Sequence, residues 1–248
     1  MILQKNTFLL SGLLSVGYYL RQFVINSNKL FDFFFPPCCF VCGKKERSYL
    51  CNSCLKKIKQ RKIEKYQNIS ILKKKHPEIK EFLFLGEYKG QLRKNILSIK
   101  INKNKRKLKD AVFALMEAYD IKGDFLFTVP SIDEKPFHSF YIAKYLAFLC
   151  DIIFPEHGLK KIIKTKKQKN LKKTERYENL KGVFKKNMFG VLKKNSKIVI
   201  FDDIITTGNT VERIIETINT GEVYIISLAV AVKQSYIAKN KDKQLYIA

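Results

Sequence analysis

The run IVIFDDIITTGNT, at residues 198–210, constrains the fold of this chain more than any other stretch. Residues 197–201 are largely apolar and β-branched, which is typical of a strand buried in a parallel sheet. We predict that this strand stops at Phe201, so that Asp202 and Asp203 lie at its carboxyl end. The helical pattern VERIIETI begins a few residues later. The run therefore predicts a buried strand, an acidic pair and a helix in close succession.

The turn before this helix has the composition of an anion site. Backbone N–H groups at a helix start have no partner within the helix, and the helix dipole favours negative charge there by about 0.3 to 1 kcal/mol. Threonine hydroxyls add hydrogen-bond donors, and a glycine tolerates a positive φ angle. We therefore predict that a terminal phosphate binds at Thr206, Thr207, Gly208, Asn209 and Thr210.

Asp202 and Asp203 cannot favour a phosphate, so they require another partner. Carboxylates accept hydrogen bonds from sugar hydroxyls, and they also bind divalent cations that prefer oxygen ligands. A phosphorylated ribose carries hydroxyls and a phosphate together. The alternative is an ordinary acidic turn before a threonine-capped helix, which explains each half of the run alone but not both halves in this order.

Strands and helices also alternate elsewhere in the chain. Residues 82–100 predict a strand, a glycine-containing turn and a helix, and residues 125–129 predict a strand before the helical run YIAKYLAFLC. This alternation predicts an α/β fold with a parallel sheet flanked by helices, in which ligands bind at the carboxyl ends of the strands. Residues 131–136 are then expected to flank the same crevice as the acidic pair.

Two CxxC pairs, Cys39 with Cys42 and Cys51 with Cys54, lie close together in the N-terminal part of the chain. Four thiolates at this spacing suit a tetrahedral Zn²⁺ with a structural role. Disulfides are the alternative, although the rest of the chain does not look like a secreted disulfide framework. Cys38 makes the first ligand ambiguous by one residue, and Cys39 gives the usual spacing.

Residues 198–210 closely resemble the phosphoribosyl diphosphate signature of type I phosphoribosyltransferases. In that family the acidic pair meets the ribose, and the threonine-glycine loop holds its 5′-phosphate. The cysteine pairs and the pattern QKNLKKTERYENLKGVF, with Gln168, Arg176 and Asn179, resemble the ComF (ComFC) competence proteins. The resemblance implies a type I phosphoribosyltransferase-like domain that binds phosphoribosyl diphosphate with Mg²⁺ and follows a zinc finger.

The loop opposite the signature departs from the family pattern. The family places Arg, Gly, Phe, Asn and Gln in succession on this pyrophosphate side, whereas this chain has Lys135, Pro136, Phe137, His138 and Ser139. Pro136 removes an N–H group, and a lysine is a point charge rather than a bidentate donor. We expect Lys135 and Lys100 on the pyrophosphate side, and weak or absent turnover. His138 has the position of a helix cap or a surface residue, with a catalytic role as the alternative.

The formal net charge of +26 is spread over many lysines rather than confined to one tail. Lysines placed near phosphates gain affinity by releasing counterions, so single-stranded DNA is an expected partner. The ComF resemblance adds a competence helicase or the uptake machinery as partners. A coding bias toward lysine, isoleucine and asparagine is the alternative origin of the charge.

The predicted organisation is an apolar N-terminal extension at residues 1–30, a zinc module at residues 31–60 and a phosphoribosyltransferase-like domain at residues 80–248. Residues 8–20 form an apolar run shorter than the roughly 20 residues that span a bilayer. We expect no stable transmembrane span and a cytoplasmic location. Docking on the zinc module or a membrane-surface contact are the alternatives for the N-terminus.

Three functions follow from these features. The preferred hypothesis is a ComF-like protein that assists natural competence, DNA uptake and the processing of internalised single-stranded DNA, with phosphoribosyl diphosphate as ligand or regulator. The second is an active phosphoribosyltransferase of nucleotide metabolism, an enzyme of the glycosyltransferase class. The third is a nucleic-acid-binding protein with a vestigial site.

Overall fold

A computed structural model describes residues 2–129, 138–161, 184–186, 192–219 and 221–232 of the chain. The helices are α1 Ile2–Phe34, α2 Asn52–Lys59, α3 Gln67–Lys75, α4 Gly90–Asn102, α5 Lys105–Ala118, α6 His138–Cys150 and α7 Asn209–Ile218. The strands are β1 Ile79–Glu87, β2 Phe125–Thr128, β3 Leu159–Lys161, β4 Phe184–Lys186, β5 Lys197–Ile205 and β6 Glu222–Val230.

A four-stranded sheet in the order β1-β6-β5-β2 forms the centre of the fold, and all of its neighbouring strands are parallel. The short strands β3 and β4 form a separate antiparallel pair. Because the strands of the main sheet are parallel, the ends of β2 and β5 lie at the same edge. The predicted α/β fold with a parallel sheet flanked by helices is confirmed.

Strand β5 is longer than the sequence predicts. It does not end at Phe201 but continues through Asp202 and Asp203 to Ile205. Ile204 and Ile205 extend the parallel register against the last residues of β6. The acidic pair therefore lies within the strand, two residues before its carboxyl end. The hydrogen bonds of the sheet hold its backbone.

Both faces of the sheet are buried, as the nearly continuous apolar sequence of β5 requires. Ile198 and Ile200 belong to the core on the side of α3 and α7, whereas Val199 and Phe201 belong to the core on the side of α4, α5 and α6. This alternation follows from the two-residue period of side chains along a strand. The sheet is thus the middle layer of three.

The cysteine-containing segment packs into the core of the sheet domain. Phe40, Leu50 and Ile58 belong to the same buried cluster as Val199 and Phe201 of β5. On the other side of the sheet, Ile69 and Leu72 of α3 are buried in the second core. The residues between the predicted zinc module and the predicted phosphoribosyltransferase-like domain therefore contribute buried side chains to the core.

Helix α1 runs without interruption across residue 30 and lies against the body of the molecule. Arg21 pairs with Asp151 at 2.6 Å, Asn28 donates to the Tyr145 hydroxyl at 3.1 Å, and Asp32 pairs with Lys109 at 3.1 Å. Asp32 also accepts a hydrogen bond from Tyr49, which lies between the two cysteine pairs. Among the described helices, none is both long and apolar enough to cross a membrane.

Candidate functional site

The acidic pair of β5 lies beside two cationic side chains. Asp203 is buried, and its Oδ2 atom is 2.5 Å from Lys100 Nζ and within hydrogen-bond distance of His138 Nε2. Lys100 comes from the last turn of α4, which is anchored by the buried neighbour Ile99. His138 is the first described residue of α6, which follows β2, the strand next to β5. Three elements therefore converge on one carboxylate.

The pKa values of the two carboxyl groups are shifted in opposite directions. Burial works against the charged form of Asp203, but the hydrogen bond from His138 and the charge of Lys100 outweigh it and lower the pKa to about 2. The pKa of Asp202 is raised well above its usual value because it is shielded from water and faces the negative Asp203. A cation or a hydroxyl group that binds between them would relieve this repulsion.

The phosphate loop predicted at residues 206–210 has the backbone of an anion site. Gly208 has a φ angle of 81°, in the left-handed region that favours glycine, and its carbonyl accepts the first helical hydrogen bond from Glu212 N at 2.8 Å. Asn209 N lies 3.4 Å from Thr207 Oγ1. Helix α7 begins at Asn209, so Thr206, Thr207, Gly208, Asn209 and Thr210 surround its N-terminus.

Helix α3 supports this loop from outside. Asn68 donates a hydrogen bond to the Thr206 carbonyl, and a Cβ atom at Gly208 would lie 3.0 Å from Leu72 Cδ2. The loop is therefore shaped by a helix that precedes it by more than a hundred residues. Sequence reasoning missed these two supports, because no local pattern connects Asn68 or Leu72 to the signature.

The structure brings some of the predicted site residues together and does not describe others. It brings Lys100 and His138 to Asp203, although His138 has the sequence position of a cap or surface residue. The sequence position of His138 could have indicated this contact. His138 begins the helix that follows β2, and β2 is the neighbour of β5 in the sheet. The assignment of Lys100 to the pyrophosphate side stays a prediction. Other predicted residues lie outside the described part of the chain, namely Lys135, Gln168, Arg176 and Asn179.

The four predicted cysteine ligands form one cluster. The sulfur atoms of Cys39, Cys42, Cys51 and Cys54 all lie within 4.8 Å of one another. The first pair is held in a tight turn in which the N–H of Gly43, at a φ angle of 82°, donates to the Cys39 carbonyl at 2.8 Å. The second pair lies at the start of α2.

The cluster can hold a metal ion rather than a disulfide. All of these cysteines are free, and Cys42 Sγ is 3.7 Å from Cys51 Sγ, which is too long for a covalent bond. Burial raises the pKa of Cys42 and Cys54, whereas for Cys51 hydrogen bonds from Cys54 and the neighbouring thiols outweigh burial and lower the pKa to about 7. Four converging sulfurs suit Zn²⁺. Cys39, and not Cys38, belongs to this cluster.

A comparison with protein families matches residues 159–247 to the phosphoribosyl transferase domain. The matched region contains β5, the loop at residues 206–210, α7 and β6, which carry the acidic pair and the phosphate loop. The match covers residues 159–247 only, and it shows that this part of the chain is similar to a phosphoribosyl transferase domain. A search of curated proteins found no match to the chain.

Proposed function

We propose that this chain binds phosphoribosyl diphosphate together with Mg²⁺. The observation that carries the proposal is one continuous unit in which β5 contains the acidic pair near its carboxyl end and α7 begins directly after a positive-φ glycine. The helix N-terminus and its threonines suit the 5′-phosphate, and the carboxylates suit the ribose hydroxyls and Mg²⁺.

The cationic neighbours of the acidic pair fit the charge of the ligand. Lys100 forms an ion pair with Asp203, and His138 lies within hydrogen-bond distance of the same carboxylate. Mg²⁺ held by the acidic pair would supply positive charge there, and the Lys100 ammonium would then be available to the pyrophosphate, the part of the ligand with the highest negative charge. Lys135 is the second pyrophosphate-side cation of this proposal.

Binding is favoured over catalysis because the sequence of the opposing loop departs from the family pattern. In an active transferase, pyrophosphate leaves C1 of the ribose as a nucleophile attacks, and preorganised donors must stabilise the leaving group. Pro136 stands where the family has a glycine, and it supplies no N–H group. An active phosphoribosyltransferase of nucleotide metabolism is therefore the second candidate.

The biological setting proposed for this binding is that of a ComF-like protein in natural competence. Three observations support it: the four-cysteine cluster, the resemblance that includes Gln168, Arg176 and Asn179, and the net charge of +26. In this setting the protein is cytoplasmic, handles internalised single-stranded DNA and works with a helicase or uptake machinery. Helix α1 is the part that would contact a membrane surface. A nucleic-acid-binding protein with a vestigial site is the remaining alternative.

The proposal is tested by calorimetric titration of the full chain with phosphoribosyl diphosphate and Mg²⁺. We expect saturable binding at one site per chain, which the double substitution Asp202→Ala with Asp203→Ala abolishes. Asp120→Ala is the matched control, because this carboxylate is exposed and pairs with the equally exposed Lys122. No binding by the unmodified protein would reject the proposal, and pyrophosphate release with any nucleobase would favour the enzyme.

A further inference from the structure

A second group of metal-ligating side chains lies on the opposite side of the sheet from Lys100 and His138. His76 follows the last residue of α3, and Glu212 and Glu216 stand one turn apart on α7. Their ligand atoms all lie within 4.8 Å of one another. Because residues four apart share one face of a helix, both carboxylates are directed at the same imidazole.

The imidazole of His76 is already oriented as in metal sites. Its Nδ1 atom lies 3.1 Å from Glu78 Oε1, and its Nε2 atom lies 3.6 Å from Glu212 Oε1. A histidine that binds a metal through one nitrogen almost always donates its other N–H to a carboxylate, a carbonyl or water. Glu78 occupies that supporting position, and a hydrogen bond from Nδ1–H to it would leave the Nε2 lone pair available to a metal.

The charge of the group favours an added cation. Among the residues that the structure describes, Glu212 pairs with Lys75, Glu216 pairs with Arg213, and the third carboxylate, Glu78, pairs with His76 itself. The Glu212 side chain is only 8% exposed, which makes an uncompensated charge there costly. Lys75 reaches Glu212 Oε1 at 3.1 Å with a side chain that is 55% exposed, so it can withdraw into solvent. Glu216 has a second oxygen for a ligand while Arg213 holds the first.

We propose that His76, Glu212 and Glu216 bind a divalent transition metal, with Zn²⁺ as the best-suited ion. One imidazole nitrogen and two carboxylate oxygens leave a fourth tetrahedral position for water, and Glu78 acts as a positioning residue for His76. The site is separate from the four-cysteine cluster and does not depend on phosphoribosyl diphosphate binding. It connects α3 to α7, the helices that shape the loop at residues 206–210.

The test is a Zn²⁺ titration, followed by calorimetry, of untagged full-length protein whose cysteine cluster already contains one zinc per chain. We expect a second equivalent to bind. The variants His76→Gln and Glu216→Gln should each weaken it at least tenfold, and Glu78→Gln by roughly 10- to 100-fold. Glu216 is the safest position to change, because its side chain is 38% exposed.

His157→Gln is the matched control, since it removes an exposed imidazole elsewhere and should leave the second equivalent unchanged. The circular dichroism spectrum of each variant verifies that it is folded. Two results would overturn the proposal: no second equivalent in the unmodified protein, or an affinity that His76→Gln and Glu216→Gln leave unaltered. Loss of phosphoribosyl diphosphate binding alone would not affect it, so the two proposals fail separately.

Discussion

Gly208 meets two requirements at the residue scale, a φ angle of 81° and close contact with Leu72. We predict that the left-handed backbone conformation alone makes Gly208→Ala destabilise the protein by about 1 to 2 kcal/mol. The new methyl group adds to this cost, because it would lie 3.0 Å from Leu72 Cδ2. The substitution should also weaken phosphoribosyl diphosphate binding, since the loop cannot keep its shape. Chemical denaturation and ligand titration measure the two effects.

Gly90→Ala is the control for this substitution. Gly90 also has a positive φ angle, 55°, but a Cβ atom there would meet nothing within 4 Å. We expect this variant to show the backbone cost alone and unchanged ligand affinity. Equal destabilisation by the two substitutions would mean that Leu72 does not constrain the loop.

The Asp203 carboxyl makes stability depend on pH in a defined direction. Its pKa of about 2 in the folded protein lies below the unfolded value of roughly 3.9. The ionised carboxylate therefore contributes its full stabilisation at pH values above about 3.9, and this contribution is lost as the pH falls toward about 2. We predict that the free energy of unfolding of the wild type, minus that of Asp203→Asn, falls by on the order of 1 kcal/mol between about pH 5 and about pH 3. Urea denaturation at several pH values measures it; a difference that grows on acidification would contradict the assignment.

Much of the site was predictable from the sequence because its parts are adjacent in the chain. Residues 197–218 carry a strand, a turn and a helix in one local pattern, and the spacing of the cysteines specifies their cluster in the same way. The end of β5 was predicted wrongly, because two successive carboxylates suggest a strand end. Ile204 and Ile205 nevertheless pair with β6, and long-range pairing outweighs that local signal.

The supports of the site were not predictable, because they depend on contacts between distant segments. Helix α3 ends in three lysines, whereas its function in the fold depends on three other side chains: Asn68, which bonds to the loop, and the buried Ile69 and Leu72. The approach of His138 and Lys100 to Asp203 likewise requires the strand order β1-β6-β5-β2, which the sequence does not give.

At the scale of elements, the four-cysteine segment should contribute to the stability of the whole domain. Phe40 and Leu50, which flank the ligands, share a core with β5, so disorder in this segment would expose that core. We predict that removing zinc with a chelator, or substituting Cys54→Ser, lowers the midpoint of thermal unfolding of the entire chain in one transition.

Cys38→Ser provides the comparison, because Cys38 precedes the cluster and is not one of its members. This variant should retain one zinc per chain and the wild-type unfolding midpoint. An unfolding midpoint that zinc removal leaves unchanged, or metal analysis of reductively purified protein that finds no zinc, would contradict the assignment of the cluster.

At the scale of the whole molecule, the net charge of +26 should dominate any binding to nucleic acid. We predict that the affinity for single-stranded DNA falls with added salt, with a slope of about −0.7 in log–log units for each phosphate contacted. Fluorescence anisotropy with a labelled oligonucleotide measures the slope. An affinity independent of salt would contradict the hypothesis that the lysines bind phosphates. It would favour coding bias as the origin of the high lysine content.

The central claim is that residues 202–210 hold the ribose 5-phosphate half of phosphoribosyl diphosphate. Competition calorimetry with the two halves of the ligand tests it most directly. We predict that ribose 5-phosphate displaces phosphoribosyl diphosphate from the wild-type protein, and that this binding is lost in the Asp202→Ala, Asp203→Ala variant. Displacement by pyrophosphate but not by ribose 5-phosphate would contradict the claim.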